Sequence, residues 1–256
     1  MKTKKVNKPR VLLAAPIYDG KDYIIDRYIE RIKELTYDNY DILLVDNSKT
    51  IDFAKKVKKM GVNIVKLKWE ENSKKRLVSS RNYIREYALK NNYDYFFSLE
   101  CDILPPKDVI EQLLSCEKKI VCGWYYITPY PHTRPCLSRE WTMIEMKFAH
   151  VIPLPIYMAK HKLMKCWLGS FGCMLIHRSV LEKIKFKTYD IFSHHDDTWF
   201  FFDCEKQGFE VYCKTDLLVP HFQDNKWAEI KKKNWNNEFN KIRAKEEIYK
   251  IEEIKI

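Results

Sequence analysis

A chain of 256 residues that is 46% hydrophobic can bury a substantial core, and its net charge of +11 raises nucleic acid, an anionic membrane surface or a phosphate-rich ligand as partners. The basic residues are dispersed over the N-terminus and residues 55–59, 74–76 and 226–250, without a zinc-finger, homeodomain or RNA-recognition pattern, so no nucleic acid is expected. No apolar stretch reaches the roughly 18 residues that span a bilayer, Met1-Lys2-Thr3-Lys4-Lys5 has no apolar signal core, and the eight cysteines, with no C-x-x-C pair, read as reduced core residues; a cytosolic single domain with an appended tail is expected.

Val11-Leu12-Leu13-Ala14-Ala15 is a short apolar run stopped by Pro16, the pattern of a buried strand. Ile24, Ile25, Tyr28, Ile29, Ile32 and Leu35 recur at helical spacing over 23–35. The next apolar run, 41–45, ends in Asp46-Asn47-Ser48. The pattern then predicts a helix over 53–60, a strand over 63–67 and a helix over 77–89 entered through a basic loop. A strand over 95–99 runs into Glu100-Cys101-Asp102 and Pro105-Pro106. Strand and helix alternating at this pace argue for a parallel sheet wrapped by helices, with ligands at the carboxyl ends of the strands. From 122 to 167 periodicity gives way to aromatic and proline-rich sequence around Trp124, Tyr125 and Tyr126, and irregular chain of this length is usually functional or mobile. Regularity returns at Gly172-Cys173-Met174-Leu175-Ile176, followed by a helix with Ser179 as N-cap and another over 196–207 stopped by Gly208. After Leu218-Val219-Pro220-His221, apolar residues at Trp227, Ile230, Trp235, Phe239 and Ile242 fit an amphipathic helix in a basic tail.

Three acidic or histidine stations stand where strands end or helices begin: Glu100 with Asp102, Asp196 with Asp197, and His221. Side chains alternate along a strand, so two carboxylates separated by one residue project to the same face, which suits a hard divalent cation. Clustered carboxylates repel unless positive charge lies between them, and a metal that also holds a diphosphate meets that need. The residues thus point to metal-assisted chemistry on a phosphate-bearing substrate. Each station has a plainer reading beside this one: solvated turn residues at 100 and 102, helix capping by Asp196 and Asp197, a structural histidine at 221. His194-His195 reads as solvated loop rather than a zinc site.

The order and spacing of these motifs resemble the family 2 glycosyltransferases of GT-A fold. Pro16-Ile17-Tyr18-Asp19-Gly20, a helix, and a strand ending Val45-Asp46-Asn47-Ser48 are similar to that family's P-x-Y-N-G, helix and V-D-D-G-S. Arg81-Asn82 resembles its R-N, Glu100-Cys101-Asp102 its D-x-D, residues 172–178 its G-x-x-M-L-I-R-R, Asp196-Asp197 its E-D pair, and His221 its late histidine. The resemblance implies an α/β fold with a mixed sheet flanked by helices. It implies a GT-A domain over 10–222, nucleotide-binding in 10–102 and acceptor-binding in 103–222, between a basic arm (1–9) and a basic helical tail (223–256).

The implied activity is metal-dependent, inverting transfer of a sugar from a nucleotide-diphosphate sugar, UDP-linked by preference, to a hydroxyl of a glycan, lipid-linked or protein acceptor. By the same resemblance Tyr18 flanks the base, with Pro16, Asp19 and Asn47 in the nucleotide-sugar site, and Asp46 accepts a base N–H. Arg81 lies against the base or diphosphate, and Glu100, with Cys101 beside it, reaches the ribose or metal. Asp102 ligates Mn²⁺ or Mg²⁺, His221 completes the coordination, and Asp197 is the general base, with Asp196 equally eligible. Trp124, Tyr126 and Gly172 fall on the acceptor side. Glu100, Asn47 and Asp196 depart from the family's usual residues, and the first two keep a basic glycan- or nucleic-acid-binding module with a degenerate metal site as an alternative. A sugar-1-phosphate nucleotidylyltransferase, the other alternative, calls for a glycine-rich phosphate loop that Ala14-Ala15-Pro16-Ile17-Tyr18 does not offer. The basic tail suits work at the inner membrane face.

Overall fold

In the computed structural model, which describes residues 8–125, 141–144, 148–151, 162–189 and 196–222, the apolar runs become the central strands. β1 (Val11–Ile17) pairs in parallel with β2 (Tyr40–Asp46) on one side and β4 (Tyr95–Leu99) on the other, and β3 (Ile64–Lys66) extends the sheet beyond β2. Strands buried on both faces need no polar alternation, hence their unbroken apolar sequence. β1 runs through Pro16 instead of stopping there. Its register with β4 ends at Ala14 opposite Ser98, so the proline lies past that ladder, where a missing N–H breaks no β4 bond.

The other half of the sheet is mixed rather than parallel. β9 (Cys173–His177) runs antiparallel between β4 and β5 (Ile120–Trp124), β10 (Val211–Leu218) lies parallel to β5, and β8 (Leu163–Cys166) forms the edge antiparallel to β10. The described residues thus build one eight-stranded sheet, ordered β3-β2-β1-β4-β9-β5-β10-β8. β6 (Trp141–Ile144) and β7 (Phe148–Val151) pair as a separate antiparallel ladder. Both this ladder and β8 lie in the stretch where the sequence shows no periodicity.

α1 (Ile25–Lys33) buries Ile25, Tyr28, Ile29 and Ile32, the stripe its spacing predicts, and α2 (Asp52–Lys59) buries Phe53, Ala54 and Val57. α3 (Ser73–Lys90) begins earlier than its apolar pattern suggests. The Asn72 side chain accepts the N–H groups of Lys74 and Lys75, so the basic residues form the helix's first turn, not a loop before it. The buried face of α3 carries Ser80, Arg81 and Arg85 beside Ile84 and Ala88, an unusual polar content for a buried helix face. Arg85 Nε donates to the Leu181 and Ile184 carbonyls, 2.7 and 2.9 Å away, around the end of the short α5 (Arg178–Leu181). That helix is capped by His177, which accepts the Ser179 N–H, and not by Ser179. α4 (Val109–Leu114) packs three apolar residues, and α6 (Asp196–Lys206) begins at the paired aspartates, with Gly208 at φ +71° after it as a C-terminal stop. Cys101, Cys122, Cys166, Cys173, Cys204 and Cys213 are buried and unbridged, whereas Cys136 lies outside the described residues. No helix among the described residues is long and apolar enough to cross a membrane.

Candidate active site

After β4 the chain turns through a bond from the Ile103 N–H to the Glu100 carbonyl, then meets the segment that follows β10. Ile103 and His221 form an antiparallel bridge, flanked by Leu104 N–H to Pro220 O (3.1 Å) and Phe222 N–H to Asp102 O (2.8 Å). Two parts of the chain far apart in sequence are thereby fixed backbone to backbone, with Asp102 beside His221. They share a cavity of about 300 Å³ with Lys21, Arg81, Glu100, Tyr125, Ser170, Phe171 and Asp197. A larger hollow of about 770 Å³ at the opposite ends of the strands, between Lys8, Arg10, Asp94 and His177, gathers none of the acidic stations.

Asp102 is nearly inaccessible, and its Oδ2 accepts a hydrogen bond from Lys21 Nζ at 2.6 Å while standing 3.4 Å from His221 Nε2. Burial alone would push the Asp102 carboxyl up, but the hydrogen bond with His221 and the charge of Lys21 hold it below the usual carboxylate range. Lys21 is raised in turn, the pull of Asp102 outweighing a burial that would lower it. The Tyr125 ring meets His221 edge-on, 4.8 Å between centroids, and its hydroxyl bonds to that of Ser170. A Cβ at Gly172 would overlap the Tyr125 ring. Gly172→Ala is therefore expected to destabilise the fold by about 1–3 kcal/mol through overpacking, read as a lower midpoint in denaturant at unchanged slope.

Arg81 is the other cation of the cavity. Its guanidinium lies 4.2 Å from the centre of the Phe171 ring, its Nε 2.7 Å from Asp196 Oδ2, and its Nη2 donates to Glu100 Oε1 at 3.0 Å. Its Nη1 is buried and finds no hydrogen-bond partner among the described residues, a donor left for a ligand oxygen. Burial would lower its pKa, yet Asp196 and Glu100 raise it; burial pushes Glu100 up despite Arg81. The two adjacent aspartates are separated by this arrangement. Asp196, 2% exposed, is committed to Arg81, while Asp197 lines the cavity with its Oδ1 held by the Thr198 N–H at 2.7 Å.

Other residues marked by the sequence lie around the cavity rather than in its lining. Asp46 is fully buried; its Oδ1 takes the Ser48 N–H (3.0 Å) and hydroxyl (2.5 Å), and Lys66 Nζ is 3.7 Å from its Oδ2. Asn47 donates to Ser80 at 3.1 Å, and the Asp19 N–H donates to Ser48 at 2.9 Å, which ties the ends of β1 and β2 together beside Pro16. Tyr18 is exposed, its ring lying across Gly20 so closely that a Cβ there would not fit. Cys101 is buried beneath the Glu100–Asp102 turn. The Trp124 indole donates to the Thr215 carbonyl (2.7 Å), and its neighbour Tyr125 lines the cavity together with Phe171. Tyr126, His194, His195 and the tail lie outside the described residues. The sequence reading missed Lys21, Ser170 and Phe171, and took Tyr125 only as part of an aromatic stretch that is either core or acceptor lining. Ser170 and Phe171 adjoin the Gly172 motif, a usable signal; a lysine in a polar turn offers none.

Among the described residues no group of three or more His, Cys, Asp or Glu is disposed to hold a metal unaided. Asp102 and His221 nonetheless present a carboxylate and an imidazole 3.4 Å apart. A Mg²⁺-like cation bound with a substrate takes one or two protein donors and completes its shell from phosphate and water. The donor set fits such a cation, provided the Lys21 ammonium yields or shares Oδ2.

The family model of glycosyl transferase family 2 matches residues 14–185. Among solved structures, the chain is similar to the mannosyltransferase PcManGT from Pyrobaculum calidifontis in complex with GDP-Man and Mn²⁺ (15% identity, TM-score 0.53), over 84% of this chain and 57% of that one. It is also similar to A197 from STIV (17% identity, TM-score 0.48, 84% and 86% covered). No curated protein matches it. Likeness at such identity speaks to fold alone, but the family match takes in about two thirds of the sequence and runs from β1 to the segment after α5. On that match, and with a mixed sheet laid out as in GT-A enzymes, the chain belongs to glycosyl transferase family 2 and is a glycosyltransferase.

Proposed function

We propose that this glycosyltransferase moves a sugar from a nucleoside-diphosphate sugar, UDP-linked by preference, to an acceptor hydroxyl by a single inverting displacement. The observation that carries the reading is the convergence of three carboxylates, Glu100, Asp102 and Asp197, and two cations, Lys21 and Arg81, on one cavity. Asp197 takes the proton of the acceptor hydroxyl as its oxygen attacks the anomeric carbon from the face opposite the diphosphate. The bond from that carbon to the diphosphate oxygen breaks, and the charge that develops there is met by Arg81, whose Nη1 is unpaired among the described residues, and by Lys21. A divalent cation on Asp102 and His221 would add Lewis-acid neutralisation of the same leaving group. Residues 10–102 serve the donor and 103–222 the acceptor: Lys21, Arg81, Glu100 and Asp102 come from the first span, Tyr125, Ser170, Phe171, Asp197 and His221 from the second.

Calorimetric titration of UDP and of GDP, with and without Mn²⁺, tests the donor site directly. GDP is included because the mannosyltransferase of similar fold holds GDP-Man. Metal-dependent binding of one nucleotide is expected, lost in Asp102→Asn. Binding of neither nucleotide under either condition would overturn the reading.

A further inference from the structure

We propose that Lys21 is a resident counter-cation: it occupies the seat of the divalent metal on Asp102 and gives it up when the donor diphosphate takes over its ammonium group. The inference rests on the reading of the cavity as the donor site. The ammonium nitrogen is 2.6 Å from Asp102 Oδ2, the oxygen that also faces His221 Nε2 at 3.4 Å. A cation shared by Asp102 and His221 must approach that oxygen, and two positive charges cannot both crowd it without strong repulsion.

A bare Asp102 is no alternative. Its side chain is 6% exposed and that of Lys21 19%, so solvent screens the pair little and removal of one partner strands a buried charge. Asp102 is therefore strongly favoured to keep a cation beside it, with His221 on its other side. The whole site is rich in carboxylates: Glu100, Asp102, Asp196 and Asp197 stand with Lys21, Arg81 and His221, and a diphosphate brings further negative charge. Metal and diphosphate arriving together satisfy both demands, the metal on Asp102 and the ammonium on the phosphates.

Lys21 is built for that exchange. It closes the short 3-10 turn Asp19–Lys21 just after β1, and its backbone is held by bonds from its own N–H to Tyr18 O and from the Ile24 N–H to its carbonyl. The backbone can stay in place while the four-carbon stem swings, and a lysine ammonium binds phosphate as a mobile point charge without fixed geometry.

The test measures Mn²⁺ binding alone, UDP and GDP binding in EDTA, and both together, in wild type, Lys21→Met and Lys21→Gln. Loss of the ammonium should tighten Mn²⁺ binding without nucleotide by about 5–150-fold, the usual span of a coupling between sites, and weaken nucleotide binding without metal. The enhancement of each ligand by the other should shrink accordingly. Lys21→Gln, uncharged yet able to hydrogen-bond Asp102, should follow Lys21→Met. An unchanged Mn²⁺ affinity in both variants, or a gain of equal factor with and without nucleotide, overturns the proposal, since the second result is a plain through-space charge effect. Either result with nucleotide binding intact removes the Lys21 assignment alone; failure of wild type to bind UDP or GDP under any condition removes the donor-site reading beneath it.

Discussion

Asp197→Asn is expected to lower turnover by about 10²–10⁴-fold, the usual contribution of a general base, while nucleotide affinity stays as in wild type. The substitution is nearly isosteric and keeps an oxygen for the Thr198 N–H, so the first turn of α6 should stay as it is. What it removes is the proton acceptor in the cavity. Asp196 cannot take over, because it is buried and only 2.7 Å from Arg81 Nε. Parallel assays of Asp197→Asn and Asp196→Asn, with the nucleotide identified by calorimetry and a panel of sugars, decide the matter. Normal turnover in Asp197→Asn with loss in a folded Asp196→Asn would reverse the two roles.

Arg81→Met should produce the largest loss of stability, about 3–5 kcal/mol, which for a domain of this size is a fall in Tm on the order of 10 °C. The substitution takes away the guanidinium that stands 2.7 Å from the buried Asp196, frees Glu100 and removes the cation that lies on Phe171. Arg81→Lys should recover little, because an ammonium cannot reach two carboxylates as a planar fork and lie on a ring at once. Pairing Arg81→Met with Asp196→Leu removes both buried charges and should restore much of the Tm, as apolar replacement of a buried pair often does. Nucleotide binding should not return in that double variant, which separates the structural from the ligand-binding role of Arg81. A melt of Arg81→Met that superimposes on wild type would mean that the buried ion network carries no stability.

The donor half was readable because its physics is local. β1 is a continuous apolar run, and β2 and β4 carry apolar runs at their buried positions ahead of polar residues, the pattern that strands enclosed on both faces require. Gly208 after α6 and the periodic stripe of α1 are likewise rules of a single element. What stayed hidden depends on partners distant in sequence. Nothing around Lys21 shows that its side chain turns inward, since a lysine after Asp19-Gly20 looks solvated until Asp102 is brought beside it. The adjacent Asp196 and Asp197 look interchangeable until α3 supplies Arg81 to one of them. β8 is four residues long and owes its strand state to the neighbouring β10, so the aromatic stretch before it gave no periodic signal.

The bridge between Ile103 and His221 also sets an order of assembly. Nearly half the chain lies between those residues, so their pairing closes a long loop and is expected to follow the docking of β10 against β5. β1, β2 and β3 can pair through short connections, whereas the cavity waits for the last described strand. Release of β10 together with the edge strand β8 would erase the site while most of the sheet persists, so amide protons of Leu104 and Phe222 should exchange earlier than those of β1, and catalysis should fade in mild denaturant before the bulk of the secondary structure does.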